Sequence, residues 1–325
     1  MRSPIEVATV RALPAALLAA ALACFAAATA HAQSPEAPLR LTGTLAKVRE
    51  TGIIALGHRD SSIPFSYLSP RGEPIGYSID LCRLLVDAIG EAVGRTLTVK
   101  WQPVTSETRI AAVVGGQVDL ECGSTTNNLE RQKQVAFSPT IFVSGTKLLV
   151  RKGSAIRSFR DLGGKRVVVT AGTTNEKAMR DLAARFRIAM TLVTAPDHEA
   201  SFEQLTSGKV DTFATDDVLL YGLLAQHKLQ ADYLVVGEFL SYDPYGIMYR
   251  KGDPQLAKLV DDTLRELAED REIERRYERW FLRRLPQSGV SLDLPMSAQL
   301  ETILQTLASP PDARPPGLAD DGTRR

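Results

Sequence analysis

Cysteine is scarce, with three in 325 residues. A chain this long with so few cannot rest on a disulfide framework, so its stability has to come from a core. A basic stripe is missing too. The 39 Lys and Arg stand against 38 Asp and Glu, a formal net charge of +1, and the arginines are interleaved with acids, which argues against a nucleic-acid face. There is no H-E-x-x-H, no Cys/His metal spacing, no G-x-S-x-G and no G-x-G-x-x-G. Metalloprotease, metal-centre, serine-hydrolase and dinucleotide signatures are therefore absent. Gly163-Gly164-Lys165 looks like a phosphate loop, but it precedes a strand and reads as a turn. The four histidines are scattered, and no short-period repeat points to a structural role. After the N-terminal run, no stretch approaches membrane-spanning length.

That N-terminal run is informative. Arg2 and Arg11 precede an Ala/Leu-rich segment from Ala12 to Ala30, closed by Ala30-His31-Ala32 and polar Gln33-Ser34-Pro35. The pattern reads as a secretory signal peptide over 1–32, giving an exported protein. Two other fates stay open: retention as a membrane anchor, and lipidation at Cys24, although Ala21-Leu22-Ala23 is a poor lipobox. The export route permits disulfides. Cys82 and Cys122 are free to pair or to stay reduced. No histidine adjoins Cys122 in sequence, so a catalytic thiol is not expected.

Downstream, apolar runs alternate with amphipathic stretches. Gly52–Gly57 and Leu97–Trp101 read as strands. Helices are expected from Ile79 and over Ser106–Val114. A short strand ends at Leu120. A second set begins with a strand at Arg166–Thr170, a helix to Arg187, a strand at Met190–Val193, a helix at His198–Thr206 and a strand at Val210–Thr215. Asp253–Phe281 reads as one or two amphipathic helices whose Arg/Glu crowd is a solvated face. Repeated βα units imply parallel-rich sheets covered by helices. The two sets echo each other. Gly116-Gln117-Val118-Asp119 matches Gly208-Lys209-Val210-Asp211. Ten residues before each leading glycine stand Ser106 and His198, and five after each aspartate stand Ser124 and Asp216. Two such lobes, joined by extended crossovers near 140–147 and 238–245, would face their strand ends across a cleft, where ligands of open α/β sheets bind.

The stretch Glu121–Arg131, E-C-G-S-T-T-N-N-L-E-R, carries the densest polar signal. Its small hydroxyl and amide residues stand where a strand hands over to a helix, so a helix-start anion site is expected there, with Arg131 adding fixed charge one turn on. Across both lobes the cleft candidates include Arg59, Ser61, Ser106, Arg109, Ser124, Thr126, Arg131, Thr173, Thr174, His198 and Asp216. Three arginines and a histidine against one aspartate suit a ligand with two carboxylates and one ammonium. A ligand carboxylate beside His198 would raise its pKa and make it a charged donor.

Several motifs resemble those of the periplasmic solute-binding proteins of amino-acid ABC transporters, the family-3 type. They are His58-Arg59-Asp60-Ser61-Ser62 with Pro64-Phe65-Ser66-Tyr67, Glu121–Asn128 with Glu130-Arg131-Gln132-Lys133, Gly172-Thr173-Thr174, Asp197-His198 and Asp216-Asp217. The similarity covers about residues 43–285 and is greatest to the acidic-amino-acid subgroup. It implies an α/β, bilobal type II periplasmic-binding-protein fold: lobe 1 over 43–142, lobe 2 over 143–239 and a return to lobe 1 over 240–285. The C-terminal extension over 286–325 has no counterpart in that pattern from Pro310 on, where its Pro/Asp/Arg/Gly-rich composition reads as disordered. The resemblance also carries a function. It implies a non-enzymatic periplasmic monomer, without cofactor, that closes on L-glutamate or L-aspartate and delivers it to the permease subunits of an ABC importer. Arg109 would clamp the α-carboxylate, helped by Ser124, Thr126 and Thr174. Asp216 would take the ammonium. Arg59, Arg131 and His198, with Ser106 nearby, would face the side-chain carboxylate. No disulfide carries over, because Cys82 lies outside the pattern. An enzyme on the same fold, such as a cyclohexadienyl-type dehydratase, and a ligand-sensing module are the alternatives.

Overall fold

The computed structural model of the protein describes residues 40–309. The expected signal segment and the tail from Pro310 lie outside them. A helix that the sequence reading did not name, α1 (Gly43–Thr51), leads into β1 (Ile53–His58), whose apolar run is buried. Three short strands, β2 (Ser61–Ser62), β3 (Ser66–Leu68) and β4 (Pro74–Ile75), form a hairpin sheet. The amphipathic α2 (Tyr77–Val93) follows. It buries Ile79, Leu81, Leu85 and Ile89 and ends at Gly94 in the left-handed conformation. Then come β5 (Thr98–Pro103), α3 (Arg109–Val114), β6 (Leu120–Glu121), α4 (Leu129–Gln132) and β7 (Val135–Phe137).

The chain then crosses over. β8 (Phe142–Ser144) leads to β9 (Thr146–Arg151), which opens a second sheet with β10 (Arg166–Thr170), α5 (Thr174–Phe186), β11 (Thr191–Ala195), α6 (His198–Thr206), β12 (Thr212–Asp216), α7 (Asp217–His227) and β13 (Tyr233–Val236). It returns through β14 (Asp243–Tyr245), paired antiparallel with β8, to β15 (Met248–Arg250). α8 (Pro254–Glu269), α9 (Glu272–Tyr277) and a π-helical turn over Glu278–Leu282 complete the first lobe. A last helix, α10 (Ala298–Ala308), packs on α8 through Leu300 and Leu304. The sequence reading had treated this stretch only as extension. Ser297 caps the helix, accepting a hydrogen bond from the Leu300 N–H at 3.2 Å.

The two sheets share one topology. Their orders are β5-β1-β6-β15-β7 and β11-β10-β12-β9-β13. In each, the three leading strands are parallel and the fourth, delivered by a crossover, runs against them. The sequence echo has a physical cause in this plan. The Asp119 N–H donates to the Ala55 carbonyl, and its carboxylate accepts the Ala55 N–H, both at 2.8 Å. Asp211 makes the same reciprocal pair with Arg166, at 2.8 and 2.7 Å. Each aspartate thus pins its own strand to the parallel strand beside it, β1 in one sheet and β10 in the other. The leading glycines, Gly116 and Gly208, both turn through positive φ, 72° and 76°.

Two further features bear on the space between the lobes. Cys82 on α2 and Cys122 just after β6 form a disulfide, with Cα atoms 6.2 Å apart, which resolves a pairing the sequence left open. The same helix turn donates Ser78 Oγ to the Gly123 carbonyl at 2.8 Å. The lobes also touch directly, where Gly222 on α7 lies against the Ile63 carbonyl of the hairpin. A Cβ there would come within 2.1 Å of that oxygen.

Two outcomes are expected. Replacing both cysteines by serine is expected to lower unfolding free energy by about 2–4 kcal/mol in a denaturant titration. Gly222→Ala improves helix propensity by up to about 1 kcal/mol but has no room against Ile63. The lobes are expected to part, read as a larger radius of gyration in small-angle scattering; unchanged scattering would show that the contact does not govern the lobe angle.

Candidate functional site

Between the lobes, Ser106, Arg109, Ser124, Thr126, Thr173, Thr174, Asn175, His198, Asp216 and Leu219 line one small, narrow cavity. All four echo positions, Ser106, Ser124, His198 and Asp216, are among them. Arg59 and Arg131 do not line this space. They stand behind its wall, and with Arg109 they form a buried guanidinium cluster, 2%, 7% and 2% exposed respectively. A hollow of about 350 Å³ under α10 is larger, but it sets Arg271 against Glu274, Glu278 and Glu301 and gathers no such cluster.

The first lobe's wall is built from the turn before α3 and the loop after β6. The expected helix over Ser106–Val114 begins only at Arg109. Before it, Thr105 and Thr108 exchange hydroxyl and backbone hydrogen bonds that hold a turn. The Arg109 Nη1 donates to Thr125 Oγ1 at 2.6 Å. Arg131 Nη1 donates to the Thr126 carbonyl at 2.8 Å. Arg59 Nη1, Arg109 Nε and Ser106 Oγ are buried without a hydrogen-bond partner in the protein. Buried donors left over in this way are rare and mark a place where an acceptor belongs.

The helix start expected at the end of Glu121–Arg131 is present, but it is short and set apart from the hydroxyl residues before it. α4 is one turn long and begins at Leu129. Its cap is Asn128, whose side chain accepts the Arg131 N–H at 2.9 Å. Ser124–Thr126 lie upstream, where the loop bridges to the returning crossover: the Gly246 N–H donates to the Thr125 carbonyl at 3.1 Å. The helix start that does face the cavity is on the second lobe. Thr174 and Asn175 open the 13-residue α5, capped by Thr173 accepting from the Glu176 N–H at 3.1 Å. Its length makes its positive end the stronger one for an anion.

Asp216 closes the far side. Its Oδ1 accepts from Asn175 Nδ2 at 2.7 Å, and Tyr245, from the crossover strand β14, donates its hydroxyl to Oδ2. Burial, and then the charge of Asp243, push its pKa up to about 8. His198, expected at the start of α6, is fully buried. Its Nδ1 shares a hydrogen bond with Thr170 Oγ1 at 2.8 Å, leaving Nε2 as the ring nitrogen for another partner. Burial, with Arg59 and Arg109 nearby, holds its pKa well below the ordinary value and favours the neutral ring. Burial likewise pulls Arg59 down to about 10 and Arg131 to about 9, with Arg109's charge adding to both. Across the cleft Thr126 Oγ1 meets Thr174 Oγ1 at 3.3 Å and gives Asp243 Oδ1 a bond of 3.0 Å.

Asn175, Leu219, Asp243, Tyr245 and Glu121 were not singled out in the sequence. Asn175 had a signal, since it directly follows Thr174 at a helix start. Tyr245 and Asp243 had none, because an aromatic and an acid in an extended crossover read as hinge packing. Among the described residues no cluster could hold a metal ion, and no helix is long and apolar enough to cross a membrane.

Residues 54–283 match the family of bacterial extracellular solute-binding proteins, family 3. An L-glutamate/L-aspartate-binding protein of Pseudomonas aeruginosa is 45% identical over 297 residues, 91% of this chain and 97% of that protein. A glutamate/aspartate import solute-binding protein of Escherichia coli is 40% identical over 288 residues, 88% and 95%. Among solved structures, an ancestral arginine-binding protein bound to arginine superposes with a TM-score of 0.65 at 30% identity, covering 71% of this chain and 98% of that one.

The raised pKa of Asp216 sets a pH dependence. Its carboxyl titrates near 3.8 when unperturbed and near 8 in the fold, so the folded state binds the proton more tightly. Stability from this group is full below about pH 4 and is lost as pH rises through 8. Asp216→Asn is expected to raise the melting midpoint of the unliganded protein at pH 8 and to leave it nearly unchanged at pH 4. Equal shifts at both pH values would overturn the assignment.

Proposed function

The chain belongs to the bacterial extracellular solute-binding proteins, family 3, and we propose that it captures L-glutamate or L-aspartate between its lobes for delivery to an ABC importer. The observation that carries this reading is the buried cluster of Arg59, Arg109 and Arg131 on the first lobe, set opposite Asp216. Three guanidiniums call for more negative charge than one carboxylate brings, and Asp216 calls for a cation. An acidic amino acid has both. A neutral one leaves a guanidinium unmatched, and a basic one places a like charge against the cluster.

In this reading Arg109 clamps the α-carboxylate. Ser124 and Thr126 stand beside it, and Thr174 at the start of α5 adds the positive end of a helix. The ammonium meets Asp216 and restores the charge that burial suppresses. The side-chain carboxylate lies toward Ser106, His198, Arg59 and Arg131, and its charge offsets the two arginines that keep His198 neutral. The open protein receives the ligand on the first lobe; closure brings α5, His198 and Asp216 onto it. We further propose export through a cleaved segment over 1–32, action as a monomer, and docking on permease subunits in the inner membrane. Names and coverage of the relatives from P. aeruginosa and E. coli support this reading.

Calorimetric titration against acidic, amide, basic and neutral amino acids tests it. Glutamate or aspartate is expected to bind most tightly. Tight binding of another amino acid with neither acid bound would overturn the proposal. Arg131→Ala removes one partner of a buried charge pair, a loss of roughly 2–5 kcal/mol. It is expected to weaken glutamate far more than glutamine; equal losses would sink the side-chain assignment.

A further inference from the structure

We propose that Glu121 is the resident counter-anion of the arginine cluster, setting how many negative charges the site accepts and aiming Arg109 through Thr125. The inference rests on the reading of the site as a receptor for acidic amino acids.

Glu121 ends β6 and has no exposed surface. Its Oε2 accepts from Thr125 Oγ1 at 2.5 Å, and the same Oγ1 accepts from Arg109 Nη1 at 2.6 Å. A hydroxyl has one proton. Given to Glu121, it leaves only lone pairs toward Arg109, so the chain Glu121–Thr125–Arg109 has a fixed direction. The guanidinium is held in place before any ligand arrives. The other carboxylate oxygen, Oε1, is buried and has no partner. The backbone at Gly123 passes so close that a Cβ there would lie 2.3 Å from it. The charge is thus walled in by the chain itself.

Its reach covers the cluster. Glu121 offsets the effect of burial at Arg59, at Arg109 and at Arg131. Asp216 acts on Arg109 and Arg131 from the second lobe, and Asp243 on Arg131 from the crossover. Among the described residues, Glu121 is the fully buried acid of the first lobe that acts on all three. Asp197 and Asp60 act on Arg59 alone of the three. Counting only fully buried groups of the first lobe, three guanidiniums against that one carboxylate leave an excess of two positive charges, the number of carboxylates on an acidic amino acid. Without Glu121 the site would bear a third. With it, the site also repels a dicarboxylate more than it repels the amide.

Glu121→Gln keeps an acceptor for Thr125 and removes the charge. The ratio of the glutamine to the glutamate dissociation constant, from calorimetry, is expected to rise about tenfold or more over the unaltered protein. This is opposite to the effect of Arg131→Ala. An unchanged ratio overturns the counter-anion role, because a residue that only holds the loop would affect both ligands alike. Thr125→Val keeps the charge and breaks the relay. Both affinities are expected to fall about tenfold together, with the ratio unchanged. Affinities equal to those of the unaltered protein overturn the relay, and Thr125→Val decides that half even where the glutamine variant does not fold. Failure of the functional reading shows separately, as an absence of glutamate binding by the unaltered protein.

Discussion

Three guanidinium groups held together out of water are the constraint around which this molecule is arranged. Each loses hydration on burial, a penalty of several kcal/mol per ion even after relaxation, and each repels the others. Burial accordingly leads the forces that lower their pKa values, and Arg109 adds to the effect at both neighbours. The fold answers locally with the Thr126 carbonyl on Arg131, the Thr125 hydroxyl on Arg109 and the Glu121 carboxylate among them. It leaves buried donors on Arg59, Arg109 and Ser106 unmatched.

The second lobe carries the complementary strain. Asp216 is buried beside Asp243 and is driven toward its neutral form, although Asn175 and Tyr245 both donate to it. One lobe therefore holds excess positive charge and the other a carboxylate short of a cation. The two faces of the cleft thus make opposite demands on charge. The Tyr245 contact makes this more than a two-body arrangement, since the crossover strand itself touches Asp216 while its neighbours Gly246 and Pro244 bond the loop at Thr125 and Asn127. The hinge, the first-lobe loop and the second-lobe acid form one hydrogen-bonded unit.

Much of this was legible in the sequence because the two lobes repeat one plan. The Gly-x-Val-Asp echo exists because each aspartate makes the same reciprocal backbone pair with its sheet's first strand. A fixed frame then carries Ser106 and His198, and Ser124 and Asp216, to equivalent strand ends. What was misread was local. The helix expected after the β6 loop starts at Asn128 but is only one turn long, so the hydroxyl residues Ser124–Thr126 stand upstream of it. The helix end that faces the cavity belongs to α5, where Thr173 caps a helix long enough to carry a dipole. α1 and α10 were not named, since short amphipathic segments at a domain's edges give weak periodicity and owe their stability to packing.

The sequence by itself determined the lobed α/β plan and the family, and it named the residue types of the site: arginines on one lobe, an aspartate and a histidine on the other. The plan and the residue types follow from spacing and alternation, which are local and repeat along the chain; the family follows from resemblance of motifs. The tertiary structure alone decided that Arg59 and Arg131 stand behind the cavity wall, that Cys82 pairs with Cys122, and that Tyr245 and Glu121 hold the two opposed charges. Each of these depends on which distant segments meet, and on how little water is left between them. The stretch from Glu121 to Arg131 shows the division: its composition announced an anion site, and only packing revealed that its own first residue already supplies one of the anions.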